Sequence, residues 1–402
     1  MYGRRRVACV DAQRGSMRIV ITVPWGHRLG GAEAMLHTAL EGAHQSGHEV
    51  ELVFFEPGSW PDELIKAGFR VEVIPAGRLR QAHRSVATVA RLARLLRRRR
   101  PDLILNWSAK TQLYGSVAAT LVGMRRRVVW WQQAIPPRKG WLDRCATLLP
   151  ASAICCYSRA AAEAQAQLFP ARPTYVIAAG TPVPDENTEP APLELPAGVP
   201  VVGLVGRLQP WKGQERLLKA QALLRERGYE MHLLIVGGDS YGLSPEYAES
   251  LLPLASRLGL TDAVTMTGQV PDAGPYMEHM DILVNASDPE PFGIVILEGM
   301  ARGLAVVAVD SGGPAEFIEH RRTGLLARSG EPSALADALE PLLESSTLRR
   351  EVGEAGRERF MRDFTDLAMQ RRFFDSLEAI ERDRTTGDQS QPDRHADNVA
   401  SA

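Results

Sequence analysis

The chain has 402 residues, of which 45% are hydrophobic and 24% are charged, and this is the composition of an ordinary globular protein. No apolar run approaches the roughly 18 residues that a membrane-spanning helix needs, and the four cysteines match neither a disulfide framework nor a metal site. The length predicts two or three domains, each large enough to have its own hydrophobic core.

The first half of the chain alternates short apolar runs with amphipathic segments. Seven of the runs predict β-strands: MRIVITVP, HEVELVFF, FRVEVIP, PDLILN, RVVWW, SAICCYS and TYVIAA. Residues 17–183 are therefore expected to form a parallel sheet with helices on both faces. Residues 1–16 are expected to be disordered, and Met17 is an alternative to Met1 as the start of translation.

A second alternating region begins after residues 184–199, which are rich in Pro and Glu and predict a linker. Within residues 200–364 the runs VPVVGLVG, MHLLIVGG, DAVTMTG, DILVNAS and LAVVAVD predict strands. A helix is predicted over residues 365–383, and the polar residues 384–402 are expected to be disordered. The fold class is α/β, with two doubly wound Rossmann-like domains that face each other across a ligand-binding cleft.

Basic residues are concentrated in one part of the first domain. Residues 78–144 contain sixteen Lys or Arg and only two Asp. The segment RSVATVARLARLLRRRR predicts a helix that covers the sheet and has a basic outer face, which is either solvated or attached to anionic lipid. Because these charges are accompanied neither by aromatic residues on which bases could stack nor by a known nucleic-acid-binding motif, nucleic acid is not an expected partner.

Two strand-to-helix turns could bind an anion. In VPWGHRLGGAE, Gly30 and Gly31 allow close approach of a ligand to a helix N-terminus, although a flexible turn explains them equally well. In GRLQPWKGQERLLKA, Arg207 and Lys212 follow a strand, and two such cations suit a diphosphate. Neither turn has the spacing of a dinucleotide fingerprint or an ATPase P-loop.

The segment DPEPFGIVILEGM places Glu290 before a predicted helix and Glu298 in its second turn. The amides after Pro291 would point from the helix N-terminus towards a ligand, and Glu298 would line an apolar pocket wall. Paired carboxylates also occur in glycoside hydrolases, and the spacing in the sequence does not decide between these possibilities. The later segment DSGGPAEFI, with Glu316, favours a structural turn over a ligand contact.

Taken together, these motifs resemble the retaining glycosyltransferases of the GT-B fold, specifically glycosyltransferase family 4. The matching residues are the segments 30–33, 206–208, 212–213, 290–298 and 310–313 together with Glu316. The resemblance covers roughly residues 17–377. It implies that the chain moves a sugar from a nucleotide-diphosphate sugar to a saccharide or lipid-linked acceptor, with no metal and no other cofactor.

The resemblance also implies roles for several of the matching residues. Arg207 and Lys212 would hold the diphosphate and stabilise it as it leaves, and Glu298 would bind the ribose hydroxyls. Glu290 would contact the donor sugar near its reacting ring, assisted by the amides of Phe292 and Gly293. Gly31 would allow the first domain to close on the phosphate or the acceptor.

The chain departs from the family's pattern at two strand ends of the first domain, near the acceptor and the donor sugar. Many relatives have a histidine where VVWWQQAIPP has Gln133, and LILNWSAK has Trp107 where another histidine is common. A glutamine can hydrogen-bond a sugar hydroxyl but cannot act as a base near neutral pH. If the leaving phosphate accepts the proton of the acceptor, Gln133 is compatible with transfer.

Two other functions are compatible with the sequence. A sugar-nucleotide epimerase has the same two-domain architecture, and its general base could be one of the carboxylates. A peripheral-membrane binding module would use the basic segment instead. The expected location is cytoplasmic, at the inner face of the cell membrane if the basic segment attaches to lipid.

Overall fold

The computed structural model describes residues 16–28, 30–77, 81–239, 242 and 244–386. The first domain contains a seven-stranded parallel sheet in the order β3-β2-β1-β4-β5-β6-β7. Its strands are β1 (Arg18–Val23), β2 (Glu49–Phe54), β3 (Arg70–Val73), β4 (Leu103–Asn106), β5 (Val128–Gln132), β6 (Ala153–Cys156) and β7 (Thr174–Val176). Because they are covered on both faces, the central strands β1, β4 and β5 are mostly apolar rather than alternating.

Within the described residues, seven α-helices connect these strands. They are α1 (Gly31–Glu41), α2 (Ala43–Ser46), α3 (Ser59–Lys66), α4 (Ala82–Arg99), α5 (Ala109–Leu121), α6 (Trp141–Leu148) and α7 (Arg159–Ala166). Helices α4 to α7 pack on one face of the sheet, whereas α1 and α3 pack on the other. Helix α5 begins at a capping box, in which Ser108 and Thr111 each bond to the other's backbone amide.

The second domain contains a six-stranded parallel sheet in the order β10-β9-β8-β11-β12-β13. Its strands are β8 (Val201–Val205), β9 (His232–Val236), β10 (Val264–Met266), β11 (Ile282–Asn285), β12 (Ala305–Val309) and β13 (Leu325–Ala327). Its helices are α8 (Gln214–Glu226), α9 (Pro245–Arg257), α10 (Gly274–Met277), α11 (Ile294–Ala301), α12 (Pro332–Glu344) and α13 (Ser346–Asp363). The predicted fold class is confirmed, although the three-residue strand β13 was not predicted.

The last helix, α14 (Asp366–Thr386), returns from the second domain to the first. The Gln370 amide donates to the Thr38 carbonyl at 2.9 Å, and the Tyr175 hydroxyl donates to Asp383 at 2.6 Å. Residues 384–386 were expected to be disordered, but helix α14 continues through them, and the Thr386 hydroxyl donates to the Arg382 carbonyl at 3.0 Å. The remaining residues of that predicted disordered tail, 387–402, lie outside the described residues.

Ser16 was also expected to be disordered, but its hydroxyl donates to the Gly47 carbonyl at 2.7 Å. The prediction for residues 1–15 falls outside the described part of the chain. Thr181 and Thr365 form a parallel bridge, so the two segments in which the chain passes between the domains lie side by side. Within the described residues, no helix combines the length and apolar character needed to cross a membrane.

Candidate active site between the two domains

The backbone of Glu290 is fixed by two loops that meet at the carboxyl edge of the second sheet. Glu290 follows strand β11, and its amide donates to the Ser311 carbonyl at 3.0 Å. In return, the Gly313 amide donates to the Glu290 carbonyl at 2.9 Å. The loop after β12 therefore holds Glu290 at the strand ends, where doubly wound sheets bind their ligands.

The Glu290 carboxylate forms a buried ion pair with Lys212. Its Oε2 atom lies 2.9 Å from Lys212 Nζ and accepts a further bond from Asn285 Nδ2 at 3.2 Å. Burial by itself would raise the pKa of Glu290, but the charge of Lys212 and the hydrogen bonds from Lys212, Ser287 and Asn285 outweigh it and lower this pKa. Glu290 is thus an ionised carboxylate at neutral pH and cannot donate a proton there.

The two predicted cations belong to one loop, which follows strand β8. Lys212 lies in a 3-10 turn, and its Nζ is 4.1 Å from the centre of the Trp211 ring. Arg207 lies near Glu33 of helix α1, and its positive charge opposes the rise in the pKa of Glu33 that burial causes. Arg207 therefore belongs to the face of the second domain that is directed towards the first.

The N-terminus of helix α11 lies next to Glu290. Gly293 caps this helix with φ 96°, and a Cβ atom there would lie 2.6 Å from Ile296 Cδ1, so the turn requires glycine. Among the described residues, no carbonyl accepts from the amides of Phe292 or Gly293. The Phe292 ring is buried, with its centre 5.0 Å from the centre of the Phe317 ring, so only the backbone of Phe292 is available to a ligand.

Glu298 lies in the second turn of α11 and is half-buried. Burial raises the pKa of its carboxyl group; Arg302 opposes this rise and Asp272 reinforces it. Arg302 bonds to the backbone carbonyl of Glu298 and to the carboxylate of Glu278, and no bond to the Glu298 carboxylate is formed within the described chain. Glu298 is therefore a carboxyl group with capacity to accept hydrogen bonds from a ligand.

The glycine pair of the first domain lies at the contact with this helix. Gly30 precedes α1 as its N-cap, with φ −158°, which is an extended conformation open to any residue. A Cβ atom on Gly31 would lie 3.1 Å from Ile294 Cδ1 of α11, so a larger residue would crowd this side chain of the other domain. Gly31 thus allows the two helix N-termini to approach each other across the cleft.

The two residues at the strand ends of the first domain have different positions. Gln133 is half-buried, and its Nε2 donates to the carbonyl of Trp107. The Trp107 ring is fully buried, stacked on Trp131 at 4.5 Å and close to Phe373 of α14. The prediction that Trp107 lies beside the sugar was wrong for its side chain, because aromatic packing turns the ring into the core.

Glu316 links the two domains instead of contacting the cleft. Its carboxylate accepts from the amides of Arg159 and Ala160, both at 2.8 Å, and so caps helix α7 of the first domain. Three other residues of this region, Glu33, Tyr157 and Asn285, were not among the predicted site residues. Only Glu33 had a visible signal in the sequence, as the fourth residue of the GGAE turn.

No group of three or more His, Cys, Asp or Glu side chains that could hold a metal ion occurs among the described residues. The expectation that the reaction needs no metal stays a prediction. Cys155 and Cys156 are free and buried within β6, and burial raises the pKa of both thiols. Buried thiols of this kind are unreactive, so these cysteines are part of the core and not of the site.

Two family models match the chain in its two halves. The model for Glycosyltransferase Family 4 matches residues 29–183, and the model for Glycosyl transferases group 1 matches residues 185–359. The chain belongs to glycosyltransferase family 4. A crystal structure of HepE from Anabaena, in complex with UDP and glucose, has a TM-score of 0.78 and 26% identity, over 90% of this chain and 100% of that one. This likeness confirms the GT-B fold.

Curated members of the family match a shorter region. A D-inositol 3-phosphate glycosyltransferase from Nocardia farcinica is 36% identical over 167 residues, which are 40% of this chain and 37% of that protein. The lipopolysaccharide core biosynthesis glycosyltransferase LpsE from Rhizobium meliloti is 34% identical over 44% of this chain and 48% of its own length. The chain thus matches less than half the length of these relatives.

The Glu316 cap gives a first testable prediction. Replacing Glu316 with Ala leaves the α7 amides without this acceptor, and we expect the free energy of unfolding to fall by about 0.5–2 kcal/mol. Because the cap joins the domains, small-angle X-ray scattering should also show a larger radius of gyration. Glu331→Ala is the control, since Glu331 precedes helix α12 without capping it. Unchanged scattering for Glu316→Ala would contradict a role in holding the domains together.

Proposed function

We propose that this protein is a glycosyltransferase that transfers a sugar, a hexose, from a nucleotide-diphosphate sugar to an acceptor, with retention of anomeric configuration. One observation supports this most strongly: the buried ion pair Lys212–Glu290 joins the loop that carries Arg207 to the loop before helix α11, at the strand ends. Two cations on one loop, next to a helix N-terminus, suit a diphosphate attached to a sugar.

In this function Arg207 and Lys212 bind the diphosphate and stabilise the charge that develops as it leaves. The bond between the anomeric carbon and the phosphate oxygen breaks, and a bond from the acceptor hydroxyl oxygen forms on the same face. The leaving phosphate oxygen accepts the hydroxyl proton. No histidine is needed for that step, so Gln133 at the end of β5 can act by hydrogen-bonding a sugar hydroxyl.

Glu290 acts as an anion rather than as an acid in this scheme. Its lowered pKa keeps it ionised, so it can accept hydrogen bonds from sugar hydroxyls and stabilise positive charge at the anomeric carbon. The amides of Phe292 and Gly293 donate to the same ligand. Glu298 lies in the second turn of α11. Its carboxylate accepts hydrogen bonds from the two ribose hydroxyls and anchors the nucleotide.

Two other enzymatic functions are less well supported. A glycosidase would not need the two cations Arg207 and Lys212, which suit a substrate that carries phosphate. An epimerase of this architecture would need a general base at the sugar, and a carboxylate already paired with Lys212 is a weak one. The curated relatives reported above carry the names of glycosyltransferases, and HepE was crystallised with UDP and glucose.

The acceptor is a saccharide or a lipid-linked saccharide bound by the first domain, close to Gly30, Gly31 and Gln133. We place the enzyme in the cytoplasm because its buried free cysteines suit a reducing compartment. Peripheral association with an anionic membrane through the basic face of α4 would bring the enzyme to a lipid-linked acceptor at the inner face of the cell membrane.

A thermal-shift screen against nucleotide-diphosphate sugars tests this function, because a bound donor stabilises the folded state by mass action. We expect one donor to raise the melting temperature and to release its nucleoside diphosphate faster when an acceptor is added. Free sugar released at the same rate with and without acceptor would indicate a hydrolase. Conversion of the donor to its epimer, detected by NMR without acceptor, would indicate an epimerase.

A further inference from the structure

Glu33 is a buried carboxylate at the edge of the cleft that has no part in the proposed transfer. It belongs to the first turn of helix α1 and is only 6% exposed. A Cβ atom on Gly30 would lie 2.9 Å from Glu33 Oε2, so the carboxylate is folded back against the residue that precedes the helix. There it accepts a hydrogen bond from its own backbone amide. The chain thus places a negative charge of its own at the N-terminus of α1, a position that favours an anion.

Two titratable groups from other elements face this carboxylate. Burial raises the pKa of Glu33, and the positive charge of Arg207, in the loop after strand β8, opposes this rise. Burial also raises the pKa of the Tyr157 hydroxyl, which follows strand β6, and the charge of Glu33 adds to this rise. Helix α11 meets Gly31 through Ile294 and has no charged side chain in its first turn. The balance of charge around Glu33 therefore depends on Arg207.

The proposed diphosphate site would bring a second anion close to Glu33. A phosphate bound by Arg207 would act on Glu33 through its charge, because Arg207 itself already does so. A nearby negative charge and burial both favour the protonated form of an acid. A protonated carboxyl group also has an O–H that can donate to a phosphate oxygen, whereas an ionised carboxylate can only accept.

We infer that Glu33 takes up one proton from solution when the diphosphate binds, and that its carboxyl group then donates a hydrogen bond to a phosphate oxygen. The buffer supplies the proton and receives it again when the nucleoside diphosphate leaves, so no other reactant is needed. The neutral carboxyl group no longer repels the diphosphate, and the N-terminus of α1 then faces phosphate oxygens. This inference rests on the proposed function, which places the diphosphate beside Arg207.

Proton uptake by Glu33 makes the affinity for the nucleotide depend on pH. The pKa of Glu33 is then higher in the complex than in the free protein, so affinity is greatest below the pKa of the free protein. As the pH rises from this value towards the pKa of the complex, one bound proton corresponds to about a tenfold loss of affinity per pH unit. The variant Glu33→Gln cannot titrate, although its amide can still donate to phosphate, so it should lack this loss.

Calorimetry with a nucleoside diphosphate tests the inference. The probe is whichever of UDP, GDP, ADP and dTDP raises the melting temperature most. Titrations in buffers of different ionisation enthalpy give the number of protons taken up, and titrations from mildly acidic to mildly alkaline pH give the affinities. We expect the wild type to take up more protons than Glu33→Gln, and the ratio of their affinities to change about tenfold per pH unit. Comparison with the same nucleotide removes the protons that the nucleotide itself exchanges.

Glu41→Gln is the matched control. Glu41 lies at the other end of α1, and its side chain is 55% exposed. This variant should take up as many protons as the wild type. If Glu41→Gln lost the uptake as well, the proton would not belong to Glu33.

Equal proton uptake by the wild type and Glu33→Gln, with the same affinity ratio at every pH, would overturn the inference. A lower melting temperature of Glu33→Gln with unchanged uptake would also overturn it, because Glu33 would then only stabilise the start of α1. Binding without a difference in proton uptake leaves the proposed function intact. Failure of all four nucleotides to bind would contradict the proposed function and this inference together.

Discussion

The variant Glu290→Gln should lose turnover while it keeps its affinity for the nucleoside diphosphate. The substitution preserves the shape of the side chain but removes the negative charge that faces the reacting sugar. Losing one preorganised electrostatic group at a transition state lowers kcat by about 10²–10³-fold. The diphosphate is bound by Arg207 and Lys212, and Lys212 without its anionic partner should bind it as well as before or better. Steady-state kinetics and calorimetry measure the two quantities separately.

Glu215→Gln provides the matched control for this prediction. Glu215 also pairs with a lysine, Lys219, at 2.7 Å, but that pair is exposed on helix α8. An exposed pair of this kind contributes little to stability, so both turnover and folding should stay unchanged. Wild-type kcat in Glu290→Gln would show that Glu290 has no part in the reaction. Loss of nucleotide affinity equal to the loss of turnover would instead assign Glu290 to donor binding.

Much of this site could be predicted from the sequence because its parts are local. Arg207 and Lys212 follow strand β8, Glu290 and Glu298 follow strand β11, and parallel strands bring their carboxyl ends to one edge. Helix α11 begins at Ile294, so Glu290 lies before it and Glu298 lies in its second turn, as predicted. The ion pair between Lys212 and Glu290 was not predicted, because it joins residues from two separate loops.

What could not be predicted from the sequence is mostly the direction of side chains that depends on distant parts of the chain. Trp107 follows β4 as expected, but its ring stacks on Trp131 and meets Phe373 of the returning helix α14. The partner of Glu316 is a helix N-terminus in the other domain, far away in sequence. Strand β13 has three residues, which is too short for an alternating or apolar pattern to be recognised.

The double variant Arg207→Ala, Lys212→Ala should bind the nucleoside diphosphate at least about a hundredfold more weakly. A hydrogen bond to a charged group contributes about 1.5–3 kcal/mol, and two cations are lost. Calorimetry with the nucleoside diphosphate of the best donor measures the effect. Lys219→Ala, Arg322→Ala is the control, because these cations of the same domain are exposed and paired only with neighbours on the surface.

Lys212 has a second role that this experiment must separate. Without it the Glu290 side chain, which is only 7% exposed, would have no cation beside it. Removing one partner of a buried ion pair costs about 3–5 kcal/mol of stability, so a partly unfolded sample could imitate a loss of binding. The variant Lys212→Met, Glu290→Gln removes both charges together and should fold with near wild-type stability. If it binds the nucleoside diphosphate as tightly as the wild type, Lys212 serves Glu290 and not the phosphate. In that case, a loss of affinity when Arg207→Ala is added to the double variant would assign diphosphate binding to Arg207 alone.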